Sequence, residues 1–143
     1  MARRTRQEKY PDTQFFHYYN ANSHNHKTTD CVVRALCTVT DMSWEDCLTE
    51  LFNIAIKKGY TPTEDKVAEI FLTNHGFEKR REPRKDDNTK MSIKEWICKR
   101  QTSYEKRVYA GAGSHHVVAI MNGVVHDIWD SSKETMHSYW VKV

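Results

Sequence analysis

The sequence predicts an α+β domain in which N-terminal helices pack on a C-terminal antiparallel β-sheet. Three observations carry that expectation. Apolar residues recur at helical spacing between Asp30 and Ile97, short β-rich runs follow Tyr104, and Asn122-Gly123 separates two of those runs as a hairpin signal. A parallel sheet would need helices and strands in alternation, whereas this chain places its helices first and its strands afterwards.

A length of 143 residues suits one domain. Residues 1–12 are polar and basic and read as a flexible tail, and residues 13–143 read as the domain. The aromatic run Phe15, Phe16, Tyr18 and Tyr19 reads as an N-terminal strand packed on the core rather than a surface that stacks bases. After Asp30, the residues Val32, Ala35, Leu36 and Val39 fall at i, i+3, i+4 and i+7, the buried stripe of a helix, and Cys31 opens that helix from outside the stripe. A second helix takes Ser43 as its cap, carries Cys47, Leu48, Leu51, Phe52 and Ala55 inward, and stops at Gly59.

A third helix begins with the capping box Thr61 to Glu64, with Pro62 at its first position. It buries Val67, Ala68, Phe71 and Leu72 and ends at Gly76. Glu78 to Lys90 contains Pro83 and almost no apolar residue, so it reads as a solvated loop, and Ser92 with Glu95 caps a short helix through Trp96 and Ile97. The expected strands are Val108–Tyr109, Val117–Met121, Val124–Trp129 and Tyr139–Val143.

Composition narrows the function classes. A net charge of +3 with 29% charged residues describes an ordinary surface, so nucleic acid is not an expected partner. No apolar run approaches the roughly 20 residues of a membrane span, and the polar QEKYPDTQ after MARRTR lacks a signal-peptide core. A cytoplasmic location is the expectation. Cys31, Cys37, Cys47 and Cys98 form no C-x-x-C pair and read as thiols. The histidines show no metal-ligand spacing, and His24-Asn25-His26 matches the letters of a nuclease motif without its flanking ligands, so neither metal nor cofactor is expected.

The chemistry-bearing residues are few. A thiol in the first turn of a helix faces unpaired N–H groups and the positive end of the helix dipole, which favour the thiolate. Cys31 holds that place, whereas Cys37, Cys47 and Cys98 read as small buried hydrophobes. A nucleophile needs a base, and His116 heads the apolar strand VVAI while His115 points to the opposite face. A two-residue loop at Asn122-Gly123 places Met121 opposite Val124, so His116, Asp127 and Trp129 share a face. Asp127 is therefore the expected orienter of the imidazole, with Asp130 as the alternative should a bulge shift the register.

The run TTDCVVRAL around Cys31, with SHHVVAIMNGVVHDIWDSS far downstream, resembles papain-like cysteine peptidases, including those that process bacteriocin leaders. It is also similar to small bacterial and phage proteins with a DCVVRA helix and an HVVA…D-x-WDS hairpin. The likeness spans Asn25 to about Tyr139. It implies a papain-like fold and a thiol-dependent hydrolase, a peptidase, isopeptidase or amidase, acting on a peptide or protein. Cys31 would be nucleophile, His116 general base and Asp127 the third member, with Trp129 resembling the tryptophan that shields the histidine. Asn25 stands six residues before Cys31, where such enzymes keep an oxyanion-stabilising Gln, and is the possible oxyanion donor. A thiol acyltransferase and a non-catalytic interaction protein of the same fold, such as a phage-encoded modulator of a host protein, are the alternatives.

Overall fold

The computed structural model of the chain describes residues 3–99 and 106–143. Tyr104, after which the sheet was expected to begin, and Met1 and Ala2 of the expected tail lie outside the described residues. Among the described residues the architecture is mixed α+β, with five helices and six strands.

Helix α1 (Arg6–Lys9) falls in the stretch expected to be a flexible tail. Thr5 Oγ1 accepts from the Glu8 N–H and Glu8 accepts from the Thr5 N–H, a reciprocal capping box, while Arg6 Nε donates to the Ile128 carbonyl at 2.9 Å. Polar bonds alone hold this turn, so hydrophobic periodicity passes over it. Strand β1 (Phe16–Tyr18) follows with Phe16 fully buried, the expected N-terminal strand.

Helix α2 (Cys31–Thr40) ends where Asp41 turns left-handed at φ 57°. Helix α3 (Trp44–Lys58) starts on Ser43, whose Oγ accepts from the Asp46 N–H at 3.1 Å, and stops at Gly59 with φ 83°. Its buried residues are Cys47, Leu51 and Ala55, but Phe52 is 48% exposed, because no element covers that edge of the expected stripe. Helix α4 (Asp65–Asn74) begins later than expected: Thr61 and Glu64 do bond to each other, yet they close a turn, and Glu64 becomes the N-cap. Val67, Ala68, Phe71 and Leu72 are buried as expected.

The remaining elements are β2 (Phe77–Arg80), α5 (Ile93–Lys99), β3 (Arg107–Ala112), β4 (Val117–Met121), β5 (Val124–Asp127) and β6 (Met136–Lys142). Ser92 and Glu95 cap α5 reciprocally. The stretch expected as a solvated loop thus opens with a strand, since β2 pairs antiparallel with β6. An edge strand that buries only Phe77 needs backbone partners more than alternating side chains, so its sequence carries no period-two signal.

One sheet runs in the order β1-β5-β4-β3-β6-β2. It is not wholly antiparallel: β1 pairs parallel with β5, because the chain returns to the hairpin's outer edge from its distant N-terminal end. Asn122 and Gly123 have φ 51° and 75°, and Met121 opposes Val124, Ile120 opposes Val125 and Ala119 opposes His126, the register counted from a two-residue loop. Helices α2, α3 and α4 enclose one core cluster against Tyr109 and Ala119 of the sheet. Trp96 and Ile97 of α5 pack with Phe16, Val118, Ile120 and Val125 in a second cluster on the opposite face. No helix among the described residues is long and apolar enough to cross a membrane.

The two faces of α3 make opposite demands on stability. Leu51→Ala, at a fully buried site, should cost about 2–5 kcal/mol, whereas Phe52→Ala should cost less than about 1 kcal/mol. Urea unfolding midpoints of the two variants check the face assignment.

Candidate active site

Cys31 is the first residue of α2, half-buried, and beside the strand end that carries His116. His116 lies one residue before β4 and follows His115, which adopts the left-handed conformation at φ 57°. Asp127 is the last residue of β5 and only 2% exposed. His116 Nε2 donates to Asp127 Oδ2 at 2.6 Å, which leaves Nδ1 as the ring nitrogen available to Cys31, and the thiol and imidazole lie close enough for each to shift the titration of the other. The Trp129 ring lies 4.9 Å from that of His116, centroid to centroid, and covers it.

Pleat alternation explains the His116–Asp127 pair but not its meeting with Cys31. Val118, Ile120 and Val125, which share the parity of His116 and Asp127, face the second cluster, while Ala119 and Val117 face α2. The three residues meet because both strands have ended: His116 stands outside the ladder, Asp127 closes it, and the first turn of α2 abuts the same end of the sheet. The Val117 backbone lies at the same strand end, close enough to favour the Cys31 thiolate.

Electrostatics separate this thiol from the others. Burial alone would raise the Cys31 pKa, but the hydrogen bonds from His116 and the Val117 N–H, with the positive charges of His116 and Arg34, bring it below the ordinary thiol value. Burial alone would likewise lower that of His116, yet the hydrogen bonds to Asp127 and Cys31 and their negative charges push it up to about 9. Both shifts favour the thiolate–imidazolium form of the pair over the neutral one. Burial pushes the Cys37 thiol up to about 11 and raises Cys47 further, so both are inert. Cys98, expected to be a small buried hydrophobe, is exposed near the end of α5.

The sequence reading missed Arg34. Its side chain is 8% exposed, and its Nε donates to Asp30 Oδ1 at 2.8 Å and its Nη1 to Asp127 Oδ1 at 2.6 Å. Asp127 Oδ1 also accepts from the Ile128 N–H at 2.7 Å, and Asp30 Oδ2 accepts from Asn22 Nδ2 and Trp44 Nε1. One signal was present: Asp30 and Arg34 are spaced i, i+4, with Arg34 between Val33 and Ala35 on a helix too apolar to leave it in water.

The alternatives resolve. Asp130 does not reach His116; its Oδ1 accepts from the Ser132 N–H and hydroxyl at 3.0 and 2.6 Å and holds the turn after β5. Asn25 is exposed at φ 56°, its Oδ1 accepts from Asn20 Nδ2 at 3.5 Å, and it is not among the residues lining the cavity beside Cys31, while Asn22 of the same loop turns inward to Asp30. Among the described residues no group of three or more His, Cys, Asp and Glu is arranged to hold a metal.

A cavity of about 500 Å³ opens beside Cys31 and His116. Its floor includes Tyr109 and Trp140 of the sheet, and α4 forms the far wall with Asp65, Ala68 and Glu69. Gly111, Gly113 and His115 border it on the His116 side, where the small residues keep it open. No protein-family model, curated protein or solved structure matches the chain, so its chemistry is read from this geometry.

Removing the Asp127 charge should release the imidazolium and, through it, the thiolate. Asp127→Asn should slow iodoacetamide alkylation of Cys31 near pH 6 by about tenfold or more, and Asp130→Ala should leave that rate within about twofold. Mass-mapped labelling rates decide between them; equal slowing in both variants would remove Asp127 from the role.

Proposed function

We propose that the chain is a thiol-dependent hydrolase of amide or isopeptide bonds, built on a papain-like fold and working through Cys31, His116 and Asp127. The observation that carries this reading is His116 bonded to a buried carboxylate and sharing the rim of a substrate-sized cavity with a helix-start thiol. A merely structural cysteine has no use for an oriented base, and the other buried cysteines lack one.

The reaction follows from the protonation states. The Cys31 thiolate attacks the carbonyl carbon, and its electron pair forms the C–S bond while the carbonyl oxygen takes the negative charge. The N–H groups of the first turn of α2 have no partner within the helix, and Asp30 offers them no side-chain cap. The Cys31 N–H is thus the donor best placed for that oxygen. His116 Nδ1–H then protonates the departing amine as the C–N bond breaks, leaving a thioester. Water, deprotonated by the now neutral His116, attacks the thioester carbon, the C–S bond breaks, and the Cys31 thiolate leaves as the acid product departs, which restores the thiolate–imidazolium pair. Asp127 keeps Nε2 protonated throughout and fixes the ring plane, while Trp129 keeps water from the histidine–carboxylate bond.

Two titrations bound the activity. Below the lowered Cys31 pKa the thiolate is protonated and attack fails; above about pH 9 the imidazolium is lost and the leaving amine is no longer protonated. Turnover of a fluorogenic peptide amide should therefore trace a bell whose basic limb lies near pH 9, whereas alkylation of Cys31 should persist above it. In Asp127→Asn the basic limb should move to lower pH. A peptidyl vinyl ester should label Cys31 and no other cysteine near pH 6, and its failure to do so would overturn the hydrolase reading.

A further inference from the structure

We infer that Arg34 is the positioning residue of this site: its guanidinium occupies Asp127 Oδ1 so that Oδ2 alone meets His116, and it places a fixed positive charge behind the nucleophile. The inference deepens the thiol-hydrolase reading and rests on it. A carboxylate has two equivalent oxygens and would otherwise be free to rotate or to present either one to the imidazole. Here Oδ1 takes two donors, Arg34 Nη1 at 2.6 Å and the Ile128 N–H at 2.7 Å, and Oδ2 takes His116 at 2.6 Å. Rotation would break all three bonds at once.

The guanidinium is fixed from its other side. Its Nε is held by Asp30, and Asp30 is held by Asn22 and Trp44, at 3.1 and 3.0 Å, so the 20–30 loop and the first residue of α3 both fix its position. Asp30 and Arg34 flank Cys31 on α2, and Arg34 reaches across the sheet end to Asp127. The spacing Asp30, Cys31, Arg34 therefore carries the nucleophile and the brace for its third member on one turn of one helix. Lysine would supply the charge but not the planar fork that satisfies two carboxylates at once.

A purely structural ion pair would affect stability alone; a positioning residue must also move the pH dependence of Cys31. The test compares wild type, Arg34→Lys and Arg34→Met by the rate of Cys31 alkylation with iodoacetamide between about pH 5 and 9, with Cys31→Ala as background. In Arg34→Met the rise in rate should move to higher pH, giving labelling about tenfold slower near pH 6. Arg34→Lys should keep the rise near its wild-type position and label severalfold slower on the plateau, since charge is retained and the fork is lost. An Arg34→Met protein that folds and labels along the wild-type profile would overturn the inference while leaving the hydrolase reading intact. A wild-type Cys31 unreactive near pH 6 would overturn both.

Should Arg34→Met fail to fold, the double variant Arg34→Met, Asp127→Asn decides. Restored folding shows that the single variant failed because it stranded the Asp127 charge, as the inference requires. A double variant as unstable as the single one places the role of Arg34 at Asp30 instead and overturns it.

Discussion

A carboxylate that is 2% exposed obliges the protein around it to supply a cation and hydrogen bonds, and Asp127 receives both from Arg34, Ile128 and His116. The relation of helix to sheet in this molecule follows from that obligation. Arg34 belongs to α2 and Asp127 to β5, ninety-three residues apart, so satisfying the charge docks the start of the helix onto the end of the hairpin. Apolar packing of α2 against β4 tolerates small slides of a helix along a sheet. A bond of 2.6 Å between buried charges does not, and Cys31 is thereby set against His116.

This division of labour accounts for the site's location. Inside the sheet, pleat alternation would have sent His116 away from α2, together with Val118 and Ile120. At the strand end the backbone leaves the ladder: His115 turns left-handed, His116 lies before the first paired residue of β4, and the imidazole reaches a thiol that alternation would have placed behind the sheet. The N-terminal segment strengthens the same end. The Tyr19 N–H donates to the Asp127 carbonyl at 2.9 Å and Arg6 holds the Ile128 carbonyl, so Asp127 and the residue after it are fixed by the end of β1 and a helix turn from the opposite end of the chain.

Much of this was legible in the sequence, and the parts that were not share a cause. The helices α2, α3 and α5, the hairpin at Asn122-Gly123, and the choice of Asp127 over Asp130 follow from local periodicity, caps and register, each encoded within a few residues. Strand β2 and the parallel pairing of β1 depend on backbone bonds to distant segments, for which no local apolar pattern is needed, and helix α1 rests on the local Thr5–Glu8 capping box with no buried residue to give it an apolar period. Phe52 matched helical spacing yet is exposed, because periodicity records which residues could be covered and not whether another element arrives. Asn25 is exposed while Asn22 of the same loop turns inward, a loop path that a six-residue offset does not record. Arg34 was legible only as an anomaly, a charge within an apolar helix whose partner lay far down the chain.

The charges of the cluster also explain why the reactive atom is the one that faces the cavity. Asp30 and Arg34 offset each other, as do Asp127 and the His116 imidazolium, so the buried members are neutral as a set. The Cys31 thiolate is the remaining charge. It does not sit in the interior, where an uncompensated charge would be costly, but at the first turn of α2, beside the Val117 N–H and the open N–H groups of that turn. Those groups stabilise the thiolate without neutralising it by proton transfer, so the electron pair stays available on the side where the cavity admits a carbonyl. In the proposed hydrolysis the same open N–H groups would receive the oxygen that becomes negative, so attack would move charge over a short distance, from sulfur to oxygen, and the buried ions behind it would not need to rearrange.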